Sequence, residues 1–226
     1  MIKIFIGYTR NEPLVYNVLQ HSINVRSTTP VSFTPLNLDH LKDIYYRPIH
    51  ELQTTEFSFS RFLVPYLCNY EGWAIFMDND MLMLDDITKL WNMRDDKYAV
   101  MCVKHNHVPT EGIKLMNKQQ TKYEKKNWSS VMLINCGKCK KLTPEYVNTT
   151  TGLDLHRFKW LESEELIGEI PLKWNYLVDY NPTIAAKDLS NLHYTEGGPY
   201  YEGYENCSYA SEWRKEKDEM MFVRKK

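Results

Sequence analysis

Trp73-Ala74-Ile75-Phe76-Met77-Asp78-Asn79-Asp80-Met81-Leu82-Met83-Leu84 is the stretch whose reading decides the fold. From Trp73 to Met77 no polar residue interrupts the run. A strand of that kind is covered on both faces, as strands in the middle of an α/β sheet are. The run ends on Asp78 and Asp80, a carboxylate pair at i and i+2, so in extended chain both side chains leave on the same side. The C-terminal end of a strand is where α/β sheets bind ligands. Two carboxylates held together repel each other unless a cation sits between them. Hard oxygen ligands suit Mg²⁺ or Mn²⁺, and an added imidazole shifts the choice toward Mn²⁺. D-x-D pairs also occur in solvated surface loops. Here the apolar residues on both sides, Trp73–Met77 before and Met81–Leu84 after, argue against that origin.

Outward from this strand, the same alternation of elements continues. Ile2–Gly7 reads as a first strand, Asn11-Glu12-Pro13 as a helix start with Asn11 as cap and Pro13 in the first turn. Leu14, Val18 and Leu19 then recur at helical spacing, and Val31–Leu36 reads as a second strand. This βαβ unit implies a parallel pair with a right-handed crossover. Ser60 opens a helix carrying Arg61, Phe62, Leu63 and Leu67, and Tyr98–Val103 and Val131–Ile134 are two more buried strands. The region from Leu153 to Val178 is weakly patterned and broken at Pro171. Leu192-His193-Tyr194 is a short apolar segment running into Gly197-Gly198-Pro199. A histidine in such a segment is either a core residue or a ligand. The two glycines permit a tight backbone whose N–H groups face phosphate oxygens. The expectation is one α/β domain over residues 1–226, with a mainly parallel central sheet and a charged helix or tail over about 212–226.

Composition narrows the function classes. A chain of 226 residues makes one sizeable domain. Its formal net charge of −1 offers no basic excess for general nucleic-acid binding. The 16 Tyr, 8 Phe and 6 Trp suit either a carbohydrate handler or an aromatic core. No stretch reaches the length of a transmembrane segment, and Met1–Gly7 reads as a strand and not as a signal peptide. The five scattered cysteines argue against a disulfide framework and for a reducing compartment, hence a cytoplasmic protein. Cys136 and Cys139 form a lone C-x-x-C without the two further ligands a zinc site needs, so packing is the reading. The sequons at Asn127, Asn148 and Asn206 carry little weight without a secretory signal.

Six of these segments stand in one order: Phe5–Tyr8, Ser60–Leu67, Ile75–Leu82, Ser130–Asn135, Pro171–Asn175 and His193–Pro199. The series resembles the retaining GT-A glycosyltransferases of the glycogenin and bacterial galactosyltransferase group (glycosyltransferase family 8), from residue 2 to about 200. The short stand-alone transferases of bacteria and their viruses are the nearest look-alikes. The resemblance implies a GT-A, Rossmann-like nucleotide-diphospho-sugar transferase domain. It implies that Gly7, Tyr8 and Thr9 line a uridine pocket and that Arg61 stands near the donor diphosphate or sugar. Asp78, Asp80 and His193 would hold Mn²⁺ or Mg²⁺, with Asn79 near the ribose and Gly197 and Gly198 beside the phosphates. The expected activity is transfer of a hexose, glucose before galactose, from a UDP-sugar to an unidentified acceptor, with retention. The chain departs from the family pattern in three places. Thr9 stands where an Asp is common. No Asp-Gln pair is found in the matching stretch Phe158–Glu164. Gly198-Pro199-Tyr200 stands where the family has Lys before Pro-Trp. Trp160, Glu162, Glu164, Trp174 and Asn175 are therefore the candidates for sugar or acceptor contacts. Two other readings stand beside this one. A phosphatase of the haloacid dehalogenase type also places D-x-D after an apolar strand, and a non-catalytic nucleotide-sugar binding module would carry the same metal ligands.

Overall fold

The structure is a computed structural model that describes residues 1–48, 53, 55–106 and 124–222, with 113–114 and 118–119 described by their backbone. Along the chain come β1 (Ile2–Gly7), α1 (Pro13–Arg26), β2 (Val31–Leu36), α2 (Val64–Leu67), β3 (Trp73–Met77) and β4 (Met81–Met83). They are followed by α3 (Ile87–Trp91), β5 (Val100–Cys102), the two-residue strands β6 (Ile113–Lys114) and β7 (Lys118–Gln119), and β8 (Val131–Asn135). The remaining elements are α4 (Pro144–Thr149), α5 (Gly152–His156), β9 (Ile167–Glu169), β10 (Tyr176–Leu177), β11 (Asn191–His193) and α6 (Ala210–Met220).

The central sheet has six strands in the order β2-β1-β3-β8-β5-β9. β1 pairs in parallel with β2 and β3, and β5 with β9, while β8 runs antiparallel to both of its neighbours. The central strands alternate between two buried layers, as the unbroken apolar runs require. Phe5, Ala74, Phe76 and Met132 face one layer with Phe62, Leu63 and Trp160. Ile4, Ile6, Ile75, Met77 and Leu133 face the other, with Leu19 and Ile23 of α1 and with Trp174.

A second sheet, in the order β10-β11-β4, is what builds the site. The chain leaves β3 at Asp78, turns, and re-enters extended structure as β4, which pairs antiparallel with β11 so that Met81 faces His193. Leu82, Leu192 and Tyr194 pack this small sheet against Val18 of α1 and Trp213 of α6. No helix among the described residues is long and apolar enough to cross a membrane.

Several local expectations change. Glu12, not Asn11, occupies the cap position of α1, and it makes no capping bond, because its carboxylate is used elsewhere. Leu14 faces outward at 39% exposure while Val18 and Leu19 are buried. The single helix anticipated from Ser60 is a 3-10 turn, Ser60–Leu63, followed by the four-residue α2. Pro65, which has no N–H to donate, opens a new turn there. The charged C-terminal segment is helical over Ala210–Met220, and the anticipated tail at 223–226 lies outside the described residues. Cys136 and Cys139 are free, buried thiols in the same apolar layer as Cys68.

Candidate active site

Asp78, Asp80 and His193 meet at the C-terminal edge of the central sheet. The two aspartates arrive on the turn after β3, and β11 delivers the histidine across the hairpin-like pairing with β4. The junction is pinned by Tyr194 N–H donating to the Asp80 carbonyl at 2.9 Å and Asp78 N–H donating to the Ser130 carbonyl at 2.9 Å. His193 Nε2 lies 3.3 Å from Asp80 Oδ1 and 3.9 Å from Asp78 Oδ2. One ligand atom from each of the three residues lies within 4.8 Å of the others. Side-chain exposure rises from 2% at His193 through 13% at Asp78 to 26% at Asp80, so the cluster opens to solvent on the Asp80 side.

The electrostatics of this cluster favour a cation. Burial pushes the Asp78 carboxyl up to about 6, and Asp80 adds to that rise. Arg61, His193 and a hydrogen bond from Ser130 pull in the other direction. Asp78 Oδ1 is buried and accepts no hydrogen bond, although the Arg61 guanidinium stands beside it at 2.7 Å. A buried carboxylate oxygen without a donor is costly unless something else satisfies it. Two carboxylates and one imidazole form the donor set that a small divalent metal takes. The residues present therefore fit the metal that the sequence implied.

Arg61 lies against this cluster, with Nη1 2.7 Å from Asp78 Oδ1. It is 5% exposed, its Nε donates to the Ser58 carbonyl at 3.0 Å and its Nη1 to the Ser129 carbonyl at 2.9 Å. Its charge lies beside the rings of Phe57 and Phe76, whose centroids lie 5.3 and 4.9 Å away. Gly7, Tyr8 and Thr9 follow β1, the neighbour of β3, and so reach the same edge. Thr9 Oγ1 is buried there without a hydrogen-bond partner. Tyr8 stacks edge-on against Tyr16 at 5.5 Å.

Other expected contacts fall differently. Asn79, expected near a ribose, is 1% exposed and donates through Nδ2 to Glu12 Oε2 at 3.2 Å. Gly197 has φ 141° and its N–H donates to the Tyr194 carbonyl at 3.0 Å, so that N–H is not offered to a phosphate. The missing side chains of Gly197 and Gly198 make room for the rings of Tyr204 and Tyr200. Trp160 and Trp174 are core residues at 3% and 0% exposure, so neither is a sugar platform. Glu162 is exposed, and exposed Glu164 pairs with Lys125. Asn175, expected at the sugar or acceptor, is fully buried and bonded to His193.

Several contributors carry no signal in the sequence. Glu12 also accepts from the Tyr201 hydroxyl, so it ties the start of α1 to the loop after β11. Tyr200 has a buried, unpartnered hydroxyl, and its ionisation is pushed well up by burial and by nearby Asp80. His156 bonds to Ser129 Oγ at 2.8 Å, next to the carbonyl that Arg61 holds. These contacts join segments far apart in the chain, and no local pattern encodes them.

No protein-family model matches the chain. Protein CDI of Arabidopsis thaliana is 48% identical over 224 residues, covering 96% of this chain and 86% of that protein. The galactosyltransferase LgtC, solved with donor and acceptor sugar analogues, superposes with a TM-score of 0.60 at 11% identity over 99% of this chain and 98% of its own. The glycosyltransferase GlyE of Streptococcus pneumoniae gives 0.64 at 12% identity over 96% of this chain and 61% of its own. The bifunctional glycosyltransferase WbbM gives 0.62 at 14% identity over 95% of this chain and 51% of its own. The fold is therefore the GT-A glycosyltransferase fold, and the haloacid dehalogenase reading falls with it. Where the sequence pointed to bacterial and viral look-alikes, the matching curated protein is from a plant.

Proposed function

The chain belongs to the family of Protein CDI of Arabidopsis thaliana, and we propose that it is a metal-dependent glycosyltransferase. The donor is a UDP-sugar, the moved group a hexose, glucose before galactose, and the transfer retains the anomeric configuration. The observation that carries this reading is the Asp78–Asp80–His193 cluster, whose ligand atoms lie within 4.8 Å of one another at the ligand-binding edge of a GT-A sheet. Retention and the choice of UDP rest on the order of motifs that resembles glycosyltransferase family 8.

Cleavage of a sugar–phosphate bond develops negative charge on the departing diphosphate, and a divalent ion bound at the cluster supplies the Lewis acid that stabilises it. The chain's own groups do the rest. Asp78, Asp80 and His193 would hold the ion at the end of β3. Arg61, held by two carbonyls and packed beside two rings, presents a fixed positive charge to the same region. The Thr9 and Tyr200 hydroxyls, both buried and unpartnered, are positioned to donate to or accept from donor oxygens. The acceptor hydroxyl enters from the open Asp80 side.

The test is UDP release from a panel of UDP-sugars with Mn²⁺ and with EDTA, for the wild type and Asp80→Ala. Release from one donor, lost with EDTA and in the variant, supports the assignment and names the sugar. Metal-dependent UDP-sugar binding without turnover on any acceptor or water would make the chain a binding module. No binding of any donor would end the reading.

A further inference from the structure

Asn175 was a candidate for touching sugar, but it has 0% exposure and faces His193. Its Oδ1 lies 2.8 Å from His193 Nδ1, and its Nδ2 donates to the Asn127 carbonyl at 3.1 Å. The second bond settles which end of the amide is which. A backbone carbonyl only accepts, so the group facing Asn127 is the NH₂ and the group facing the imidazole is the oxygen. An amide oxygen also only accepts, so His193 Nδ1 must carry the proton. In the neutral ring that leaves the lone pair on Nε2, the nitrogen 3.3 Å from Asp80 Oδ1 and 3.9 Å from Asp78 Oδ2.

The support of Asn175 is itself fixed at two places. Asn127 adopts a left-handed conformation, φ 64°, which presents its carbonyl to the amide. The neighbouring Trp174 carbonyl accepts from Asn191 Nδ2 at 3.1 Å, and Asn191 begins the strand that bears His193. The 3-10 turn Leu172–Trp174 is thus stitched to β11, and Asn175 has one orientation available to it.

We propose that Asn175 is the positioning residue of the metal centre: it selects the Nδ1–H tautomer of His193 and holds the ring so that Nε2 faces the two carboxylates, ready to ligate a divalent cation. This rests on the metal-site reading above. A ligating histidine whose other nitrogen is held in this way keeps its tautomer and ring orientation before the metal arrives, and loss of such a partner weakens metal affinity about 10- to 100-fold. The Asn175 amide never meets donor or acceptor, so its effect passes entirely through His193.

The experiment combines nitrogen-15 NMR of the His193 ring in the metal-free protein at pH 8 with Mn²⁺ titration of the UDP-loaded protein. The expected wild-type spectrum has a protonated Nδ1 and a lone-pair Nε2. In Asn175→Leu, which is close in size and lacks the acceptor, the tautomers mix and Mn²⁺ affinity falls about 10- to 100-fold. Asn175→Asp restores most of the affinity, because a protonated carboxyl reproduces both bonds of the amide. A folded Asn175→Leu protein with wild-type tautomer and wild-type Mn²⁺ affinity overturns the role of Asn175 and leaves the metal site standing. A neutral wild-type ring protonated on Nε2 and not on Nδ1 overturns it even if no variant folds. Absence of Mn²⁺ binding in the wild type overturns the metal site and this proposal together.

Discussion

Arg61 Nη1 stands 2.7 Å from Asp78 Oδ1 but gives its hydrogen bond to the Ser129 carbonyl, at 2.9 Å. The guanidinium therefore compensates the charge of Asp78 through an ion pair that lies outside hydrogen-bonding geometry. This division of labour reconciles a buried carboxylate with a site meant for a cation. The charge is tolerable before a cation arrives, because Arg61 already faces it.

Replacing Arg61 with Leu should then have an effect that depends on metal. Removing one partner of a buried ion pair costs about 3–5 kcal/mol, because the other charge is left uncompensated. Bound Mn²⁺ compensates the same carboxylate and stabilises the native state by mass action. Urea unfolding of Arg61→Leu should show the full loss in EDTA and a much smaller one in saturating Mn²⁺. Sugar transfer should stay low in both conditions. Equal losses with and without Mn²⁺ would separate Arg61 from the metal centre.

Gly7 is under a steric constraint that is easy to test. A Cβ at this position would stand 2.3 Å from the ring of Phe57, which is fully buried. That ring also packs beside the Arg61 guanidinium, 5.3 Å from its centroid. Gly7→Ala should cost about 1–3 kcal/mol by overpacking, and the displaced ring should loosen Arg61 and depress turnover. In the double variant Gly7→Ala/Phe57→Leu the two penalties should be less than additive, because the smaller side chain vacates the contested space. Additive losses in a denaturant series would mean that the ring is not what excludes the methyl group.

How far the sequence foresaw this centre depends on the kind of interaction. Trp73–Met77 was legible because a strand buried on both faces must be apolar throughout, and the structure places it over those same residues. Asp78 and Asp80 were legible because two charges between apolar flanks need a reason. The resemblance placed Asn79 near a ribose, and Asn175 was a candidate for sugar or acceptor contact, yet each is buried against a side chain distant in sequence, Glu12 and His193. Trp160 and Trp174 failed as sugar platforms for a related reason. An indole fills a core as readily as it covers a sugar, and its position in the fold decides which.

His156 gives the protein an acid-sensitive element near Arg61. Burial first, then the charges of Arg61 and Arg47, push its ring down to about 3 from the ordinary 6.5. A histidine with a depressed folded-state value is neutral in the native protein. Its contribution to stability is fully present above about 6.5 and is lost as pH falls from there toward 3, since only the unfolded chain then takes up the proton. The cost approaches about 1.4 kcal/mol per pH unit as an upper figure, reduced by the partial solvation of the ring. Urea unfolding of the wild type at pH 7, 6 and 5 should steepen in this way. His156→Gln keeps a partner for Ser129 and does not titrate, so its profile should be flatter. Parallel profiles would remove His156 as the source of the acid sensitivity.

The contact between the terminal helix α6 and α1 rests on a carboxylate that is almost sealed. Glu216 is 2% exposed, and it meets Arg26 Nη2 at 2.7 Å and His21 Nδ1 at 2.6 Å, whose side chains are 29% and 25% exposed. The asymmetry in burial predicts an asymmetry in mutational cost. When Glu216 is removed, Arg26 and His21 turn to water and recover hydration, so Glu216→Gln should cost about 1–2 kcal/mol. When Arg26 is removed, the carboxylate stays buried with one partner fewer, so Arg26→Ala should cost more, toward about 3 kcal/mol. The double variant Arg26→Ala/Glu216→Gln should be more stable than Arg26→Ala alone, because the stranded charge has gone. Denaturant midpoints for the three proteins at pH 7.5 check the order. If Glu216→Gln proved the costlier single change, α6 would be held by the glutamate's own hydrogen bonds and not by the balance of charge.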